Sequence, residues 1–262
     1  MLEPGVDQGA GLRQAMPPAL LRFLAFVHHG ERDAQLPLLW QLCSALQDND
    51  CSVAVLDGTL LETPETPGLL DLLDDDRWAL PATLQPQLAW PVLPAARGLR
   101  YLAHHARPEE ARARLQALFR QHGAVVLYGA PVALSAVLAG SGASPLIATT
   151  AARAAVLAAY GAAKQLLLAG LAPTVAALAG AAQPAGSARV AGQALQQCAA
   201  AHLGHRFDLL TLSTPPQAAG FVHDARRLAL YWLEKSQAAS QDMAALSSCR
   251  PEGVGDPPAR RH

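Results

Sequence analysis

The stretch between residues 28 and 36, HHGERDAQL, stands where a chain of this pattern would do chemistry. An apolar run, FLAFV, precedes it, an amphipathic helical pattern follows it, and a second apolar run ends at Asp57. Strand, loop, helix and strand are the setting in which nucleotide-binding proteins hold phosphate, using glycines for close backbone approach and a lysine for charge. This loop has a single glycine, Gly30, no lysine, and two acids, Glu31 and Asp33, which would repel a triphosphate. The pattern predicts a phosphate loop that has lost its binding groups.

The histidines and cysteines give weaker signals. His28 and His29 are adjacent, but without a partner carboxylate motif they are a weak indication of a metal site. The cysteines are scattered and form no CxxC pair, which favours buried thiols in a reducing cytosol over a zinc site or a disulfide framework. They are Cys43, Cys51, Cys198 and Cys249. An enzyme that uses Asp57 in other chemistry is a further alternative, but no nucleophile or base supports it. With no metal or phosphate to bind at the end of its strand, Asp57 is expected to accept hydrogen bonds from the 28–36 loop instead.

Composition sets the class of protein. A chain of 262 residues is long enough for one large α/β domain and its core. Hydrophobic residues make up 51% but aromatic residues only 5%, which favours helices packed on a sheet over an all-β fold. The net charge of −1 removes the global electrostatic case for nucleic-acid binding. The N-terminus lacks the features of a signal peptide and no long uncharged apolar run is present, so we expect a cytoplasmic protein.

Strands alternate with helices along the chain, and many of the strands are entirely apolar. Such strands are buried on both faces, so the sequence predicts a doubly wound α/β fold with a mostly parallel sheet and helices on both faces. The predicted strands are 22–28, 52–57, 124–129, 144–150, 173–180 and 207–213, with possible short edge strands at 88–96 and 99–104. The predicted helices are 37–48, 68–75, 108–121, 151–168, 188–203 and 222–238, with a short one possible at 5–16.

Three segments are expected: an N-terminal partner-binding segment at 1–18, an α/β domain at 19–238 and a flexible tail at 239–262. The Pro17-Pro18 pair separates the first segment from the domain. The tail is rich in proline, glycine and charge in its second half, a composition typical of disorder.

The order of elements and several motifs resemble the MinD/ParA class of P-loop ATPases over residues 20 to 236. In that class the first strand leads into a deviant Walker A loop, KGGVGK followed by Thr or Ser. The resemblance places Gly30 at the signature lysine, Gln35 at the phosphate-binding lysine and Leu36 at the magnesium-binding Thr/Ser. It therefore implies a P-loop NTPase fold without a functional P-loop.

The same resemblance continues along the chain. Asp57 matches the first aspartate of the LDAD motif, but Thr59 replaces the second, and Tyr128 stands where the second switch carries an Asp. The segment IATTAARAAVLAAYGAAK keeps the Thr pair, the Tyr and the Lys of the corresponding class motif and has Ala158 in place of its Asp. The strand TVAALAGA lacks the Asn that reads adenine in the class. Together these changes imply a pseudo-ATPase with no nucleotide cofactor and no catalytic residue; the alternative is a generic α/β domain aligned by chance.

A short N-terminal segment indicates the branch of the class. DQGAGLR, residues 7 to 13, resembles the DQAxxLR segment that precedes the ATPase domain in flagellar-number regulators. There it docks on a signal-recognition-type GTPase as a short helix, and its glutamine stimulates GTP hydrolysis. Asp7, Gln8, Leu12 and Arg13 match, whereas Gly9 replaces the family alanine; a chance match in a disordered leader is the alternative.

The last predicted helix has two interpretations. Residues 222–235 combine apolar side chains, Trp232 among them, with basic ones. Family members often end in an amphipathic helix that binds the membrane, and this composition would suit that role. A helix docked on the sheet explains the same pattern and is favoured. The resemblance as a whole implies a non-enzymatic, cytoplasmic regulator of flagellar assembly; the alternative is a pseudo-ATPase of cell-pole positioning, partition or cellulose secretion.

Overall fold

The structure is a computed structural model that describes residues 21–74, 89–180, 184, 186–216 and 218–248. Its strands are β1 (Arg22–Val27), β2 (Val53–Asp57), β3 (Val92–Pro94), β4 (Ala124–Gly129), β5 (Leu146–Thr149), β6 (Thr174–Leu178) and β7 (Asp208–Leu212). Its helices are α1 (Arg32–Gln47), α2 (Leu69–Asp74), α3 (Ala96–His105), α4 (Pro108–Leu118), α5 (Pro131–Leu138), α6 (Arg153–Leu168), α7 (Ser187–Leu203) and α8 (Gly220–Ser248).

Within these residues the seven strands form one sheet in the order β3-β2-β4-β1-β5-β6-β7. Every neighbouring pair is parallel. The doubly wound α/β fold predicted from the all-apolar strands is confirmed, because strands buried on both faces need helices on both sides. β2, β4, β5 and β6 are buried along their whole length.

Two hydrophobic clusters cover the two faces of the sheet. Helices α1 and α8 pack on one face, where Phe26, Leu42 and Trp232 are buried. Helices α2 to α7 pack on the other face, around residues such as Leu99 and Leu166. The chain thus winds around both sides of the sheet and brings the carboxyl ends of all strands to one edge.

The residues 99–104, predicted as an edge strand, are helical in the structure, so this prediction was wrong. They belong to α3, whose buried residues Leu99 and Leu102 lie one turn apart on the face toward the sheet. The buried carboxylate of Glu62 accepts hydrogen bonds from the backbone N–H groups of Arg97 and Gly98, each at 2.7 Å, and so caps the first turn. This cap comes from a residue distant in sequence, which local patterns do not reveal.

Helix α5 was not predicted, and two helices have an end that lies five or more residues from its predicted position. The segment PVALSAVL has no charged residue to mark a polar face, so no amphipathic period indicates α5, although only four of its eight residues are buried. At the C-terminal end of α5, the carbonyl oxygens of Val137 and Ala139 accept hydrogen bonds from Nη1 of Arg112. Helix α1 begins at Arg32 rather than at residue 37, and α8 continues to Ser248 rather than ending near residue 238.

Candidate functional site

The candidate site lies where β1, β2 and β4 end. These neighbouring parallel strands deliver His28, Asp57 and Tyr128 to the same edge of the sheet. In open α/β sheets, ligands bind outside the carboxyl ends of the strands. The carboxyl ends of β1, β2 and β4 are therefore where a ligand of this fold would bind.

Three side chains meet at this edge, and we call His28, Gln35 and Tyr128 the edge cluster. Nδ1 of His28 lies 2.8 Å from the hydroxyl oxygen of Tyr128. The Tyr128 hydroxyl donates to Oε1 of Gln35 at 3.3 Å, and Nδ1 of His28 also lies 3.3 Å from that oxygen. Because an amide oxygen only accepts, and the tyrosine proton is already donated, this arrangement needs the proton of His28 on Nδ1.

Gln35 sits in the first turns of α1 with its side chain inside the protein. It is 0% exposed, and Nε2 of its amide has no hydrogen-bond partner. The loop before the helix is only four residues long, from His28 to Glu31, so the helix starts early and its first turns carry Gln35 against β4. The residue that the resemblance places at the phosphate-binding lysine therefore fills part of the core.

Tyr128 is equally enclosed. It is 1% exposed and packs edge-on against both Phe26 and His28. Burial, with the charge of Asp57 adding to it and Arg32 opposing it, raises the pKa of the Tyr128 hydroxyl to about 12. The hydroxyl is therefore a neutral hydrogen-bonding group at physiological pH, suited to packing rather than to acid–base chemistry.

His29 ties the loop to the neighbouring strand. Its Nε2 donates to the carbonyl oxygen of Ala148 at 2.7 Å, and its Nδ1 is buried without a partner. Burial lowers the pKa of His29, and the hydrogen bond to Ala148 opposes that shift. The imidazole is therefore neutral at physiological pH and serves as a cross-link between the end of β1 and β5.

Asp57 keeps its hydrogen bonds within its own turn. Its Oδ1 accepts from the backbone N–H of Thr59 at 2.8 Å and from the Thr59 hydroxyl at 2.6 Å. An aspartate without a metal at this strand end was expected to accept hydrogen bonds from the 28–36 loop instead, and that expectation was wrong. The Asx turn satisfies the carboxylate locally, so the loop is held by the histidines and Gln35.

Gly30 and Leu36 complete the predicted set. Gly30 is exposed and has φ of 102°, a left-handed conformation that favours glycine. Leu36 is half-buried and packs against the cluster that lies under α1 and α8. Of the predicted nucleotide-site residues, the structure thus joins Gln35 to Tyr128 and Asp57 to Thr59 by hydrogen bonds. Asp57 acts on Tyr128 through its charge.

Sequence reasoning missed the role of His28, which was considered only as a metal ligand. Its partner Tyr128 is 100 positions away, so only an alignment of β1 with β4 could have signalled the contact. Among the described residues no group of three His, Cys, Asp or Glu side chains could hold a metal ion. Asp7, Gln8, Leu12 and Arg13 lie outside the residues that the structure describes.

Helix α8 uses its apolar residues inside the protein. Leu228, Trp232 and Leu233 are buried, and Trp232 meets Phe26 edge-on. Lys235 forms a salt bridge of 2.7 Å with Asp208 of β7. These contacts agree with a docked helix. Across the described part of the chain, no helix combines the length and hydropathy that crossing a bilayer requires.

Several solved structures are similar to this chain. They include a MinC:MinD cell division protein complex from Aquifex aeolicus (13% identity, 92% of this chain and 99% of that chain, TM-score 0.47). A ParA family ATPase from Chlorobium tepidum has 14% sequence identity, covers 87% of this chain and 98% of its own, and has a TM-score of 0.48. A plasmid partition protein from Borrelia burgdorferi has 13% identity, covers 82% of this chain and 99% of its own, and has a TM-score of 0.48. No protein-family model matches the sequence, and no curated protein does. At this identity and TM-score the similarities say nothing about activity.

Proposed function

We propose that the chain is a non-catalytic MinD-like pseudo-ATPase that regulates flagellar assembly, number or placement through protein–protein interaction. The observation that carries the loss of nucleotide chemistry is the edge cluster. A phosphate-binding lysine must extend its ammonium group toward the ligand, whereas Gln35 points into the core and contacts Tyr128. The side chain at position 35, where a lysine would contact phosphate, is therefore packed inside the protein.

The remainder of the loop supports the same proposal. Glu31 and Asp33 place two negative charges where a triphosphate would lie, and Gly30 is the single glycine of the loop. A phosphate-binding loop needs several backbone N–H groups converging on one phosphate. The four-residue connection ahead of α1 offers little backbone for that purpose.

Titration calorimetry with magnesium-ATP tests the proposal. We expect no binding heat up to about 1 mM nucleotide, which corresponds to binding weaker than about −4 kcal/mol. A double variant, Glu31→Gln with Asp33→Asn, removes the repulsion while leaving Gln35 in place, and it is also expected not to bind. A micromolar dissociation constant for the wild-type chain would contradict the pseudo-ATPase proposal. Binding by the double variant alone would show that the loop keeps a phosphate-binding geometry.

The proposed partner is a signal-recognition-type flagellar GTPase, recognised by Asp7, Gln8, Leu12 and Arg13. Leu12 would give an apolar contact, Arg13 a charge contact, and Gln8 an amide that orients the attacking water, as glutamine does in GTPases. We expect a peptide of residues 1–18 to accelerate GTP hydrolysis by that GTPase. Gln8→Ala should abolish the acceleration while sparing most of the binding, because only a transition-state contact is lost.

Gln14 offers a matched control in the same peptide, because it is an amide outside the matched residues. Gln14→Ala should leave the acceleration unchanged. If neither the peptide nor the whole chain changes the GTPase rate, the flagellar assignment fails. The alternative is then a pseudo-ATPase of cell-pole positioning, partition or cellulose secretion, and the nucleotide titration remains valid for it.

A further inference from the structure

A groove lies between helices α6 and α7, which do not carry the edge cluster. Its volume is about 610 Å³, and it is lined from α6 by Arg153, Val156 and Leu157 and from α7 by Arg189, Val190 and Ala191. Leu157 is 61% exposed and Val190 63% exposed. Two large apolar side chains held open to solvent on facing helices are a feature typical of interaction sites.

The charged residues that line the groove, Arg153 and Arg189, are both positive. Residues 111–207 contain no Asp or Glu, although the whole chain has 21 such residues. The basic residues of this stretch are Arg112, Arg114, Arg120, Arg153, Lys164, Arg189 and Arg206. In the part of the chain that the structure describes, Arg153 and Arg189 are exposed and are not paired with a carboxylate. Both helices that form the groove thus come from a stretch of sequence that has basic but no acidic residues.

The helix ends at the groove add to this potential. The N-caps of α6 and α7 are Ala152 and Gly186, neither of which makes a side-chain cap, and neither first turn has an acidic residue. By contrast, α4 begins with Glu109 and Glu110. The positive ends of two helix dipoles therefore lie beside Arg153 and Arg189.

We propose that this groove binds an acidic, amphipathic segment of a partner protein. Such a segment would place its apolar side chains against Leu157 and Val190 and its carboxylates beside Arg153 and Arg189. A nucleic acid fits poorly because the groove floor is apolar and two arginines cannot neutralise a phosphate backbone. An anionic membrane fits poorly because lipid-binding surfaces carry larger basic clusters and a groove is concave.

This inference is independent of the loss of nucleotide chemistry. It concerns residues of α6 and α7 and not the matched residues of the 1–18 segment, and it holds whether or not the chain binds ATP. Failure of the nucleotide titration and failure of a groove-binding measurement are therefore separate results.

The test uses the full chain and a fluorescein-labelled helical peptide with leucines on one face and glutamates on the other. A twin peptide has every glutamate replaced by lysine, and binding is followed by fluorescence anisotropy at low salt. We expect the acidic peptide to bind at least about tenfold more tightly than its twin, because the groove carries only positive charge. Amide chemical-shift changes on labelled protein should fall on α6 and α7.

Charge reversal supplies the matched variants. Arg153→Glu with Arg189→Glu should weaken the acidic peptide at least about tenfold. Lys164→Glu with Arg206→Glu makes the same change in net charge on exposed residues outside the groove and should have an effect below about threefold, since exposed charges at a distance are screened. Leu157→Ala should weaken both peptides, and circular dichroism should confirm that all variants are folded.

Four results would overturn the proposal. They are equal affinity for the two peptides, no binding of either at about 100 µM, shift changes confined to other helices, and equal effects of the two charge-reversal variants. Two further experiments test whether the groove binds a membrane or a second copy of the chain instead of a partner protein. Phosphatidylserine vesicles that bind the wild-type chain but not the Arg153→Glu, Arg189→Glu variant would replace the partner protein by a membrane. Self-association that Leu157→Ala abolishes in sedimentation experiments would replace it by a second copy of the chain.

Discussion

Replacing Gln35 by methionine should stabilise the protein, which is the reverse of the usual effect of a core substitution. Gln35 is fully buried and its Nε2 has no partner. A buried amide group without a hydrogen bond costs about 1–3 kcal/mol. The two contacts of its Oε1, each at 3.3 Å, are long and contribute about 1 kcal/mol together. Methionine is unbranched, of similar size, and apolar.

The remaining members of the edge cluster can adapt to the loss of the amide. The hydroxyl of Tyr128 lies 2.8 Å from Nδ1 of His28 and can donate to it once the histidine proton moves to Nε2. His28 is only half-buried, so Nε2 can meet water. The balance predicts a gain of about 1 kcal/mol in the free energy of unfolding, or a rise in Tm of about 2–4 °C.

Urea denaturation of wild type and Gln35→Met measures this gain. Gln41→Met on the same helix is the control, because Gln41 is half-buried and should change stability by less than about 0.5 kcal/mol. A loss of more than about 1 kcal/mol for Gln35→Met would refute the reasoning. It would mean that the Gln35 amide has a partner in solution, such as a bound water or ligand, and that the edge of the sheet is still a binding site.

Two other perturbations test the same structure. Burial lowers the pKa of His29 and of His122 below the ordinary value of 6.5, so the folded protein binds fewer protons than the unfolded chain just below that pH. The free energy of unfolding should therefore fall as the pH drops below about 6.5. The His29→Gln variant keeps a donor for the carbonyl oxygen of Ala148 and should make this fall smaller. Urea titrations at several pH values measure the difference. Glu62→Gln replaces one of the two oxygen acceptors at the start of α3 by an N–H donor and should lower the free energy of unfolding by about 2 kcal/mol. The control Glu65→Gln, at an exposed position, should lower it by less than about 0.5 kcal/mol. Equal effects of the two variants would show that Glu62 does not cap α3.

The strands and most helices could be predicted because their signals are local. β4 was predicted at 124–129 and is observed there, since the five residues AVVLY between Gly123 and Gly129 fit a central strand. The N-terminus of α4 was predicted at Pro108, which Glu109 and Glu110 follow in the first turn, and it is observed there. Predictions failed where a distant residue decides. α3 depends on the carboxylate of Glu62, and α1 begins five residues before Pro37, which lies inside the helix rather than at its start.

The sequence by itself determined the parallel α/β sheet, because a strand that is apolar on both faces must be covered on both sides whatever its neighbours are. It also determined that the loop at 28–36 has one glycine and no lysine. Only the tertiary structure decided what replaces the missing groups. The register of β1 on β4 pairs Phe26 with Tyr128, and α1 then delivers Gln35 to the same point. Contacts between residues this far apart depend on strand order and helix docking, which no local pattern encodes.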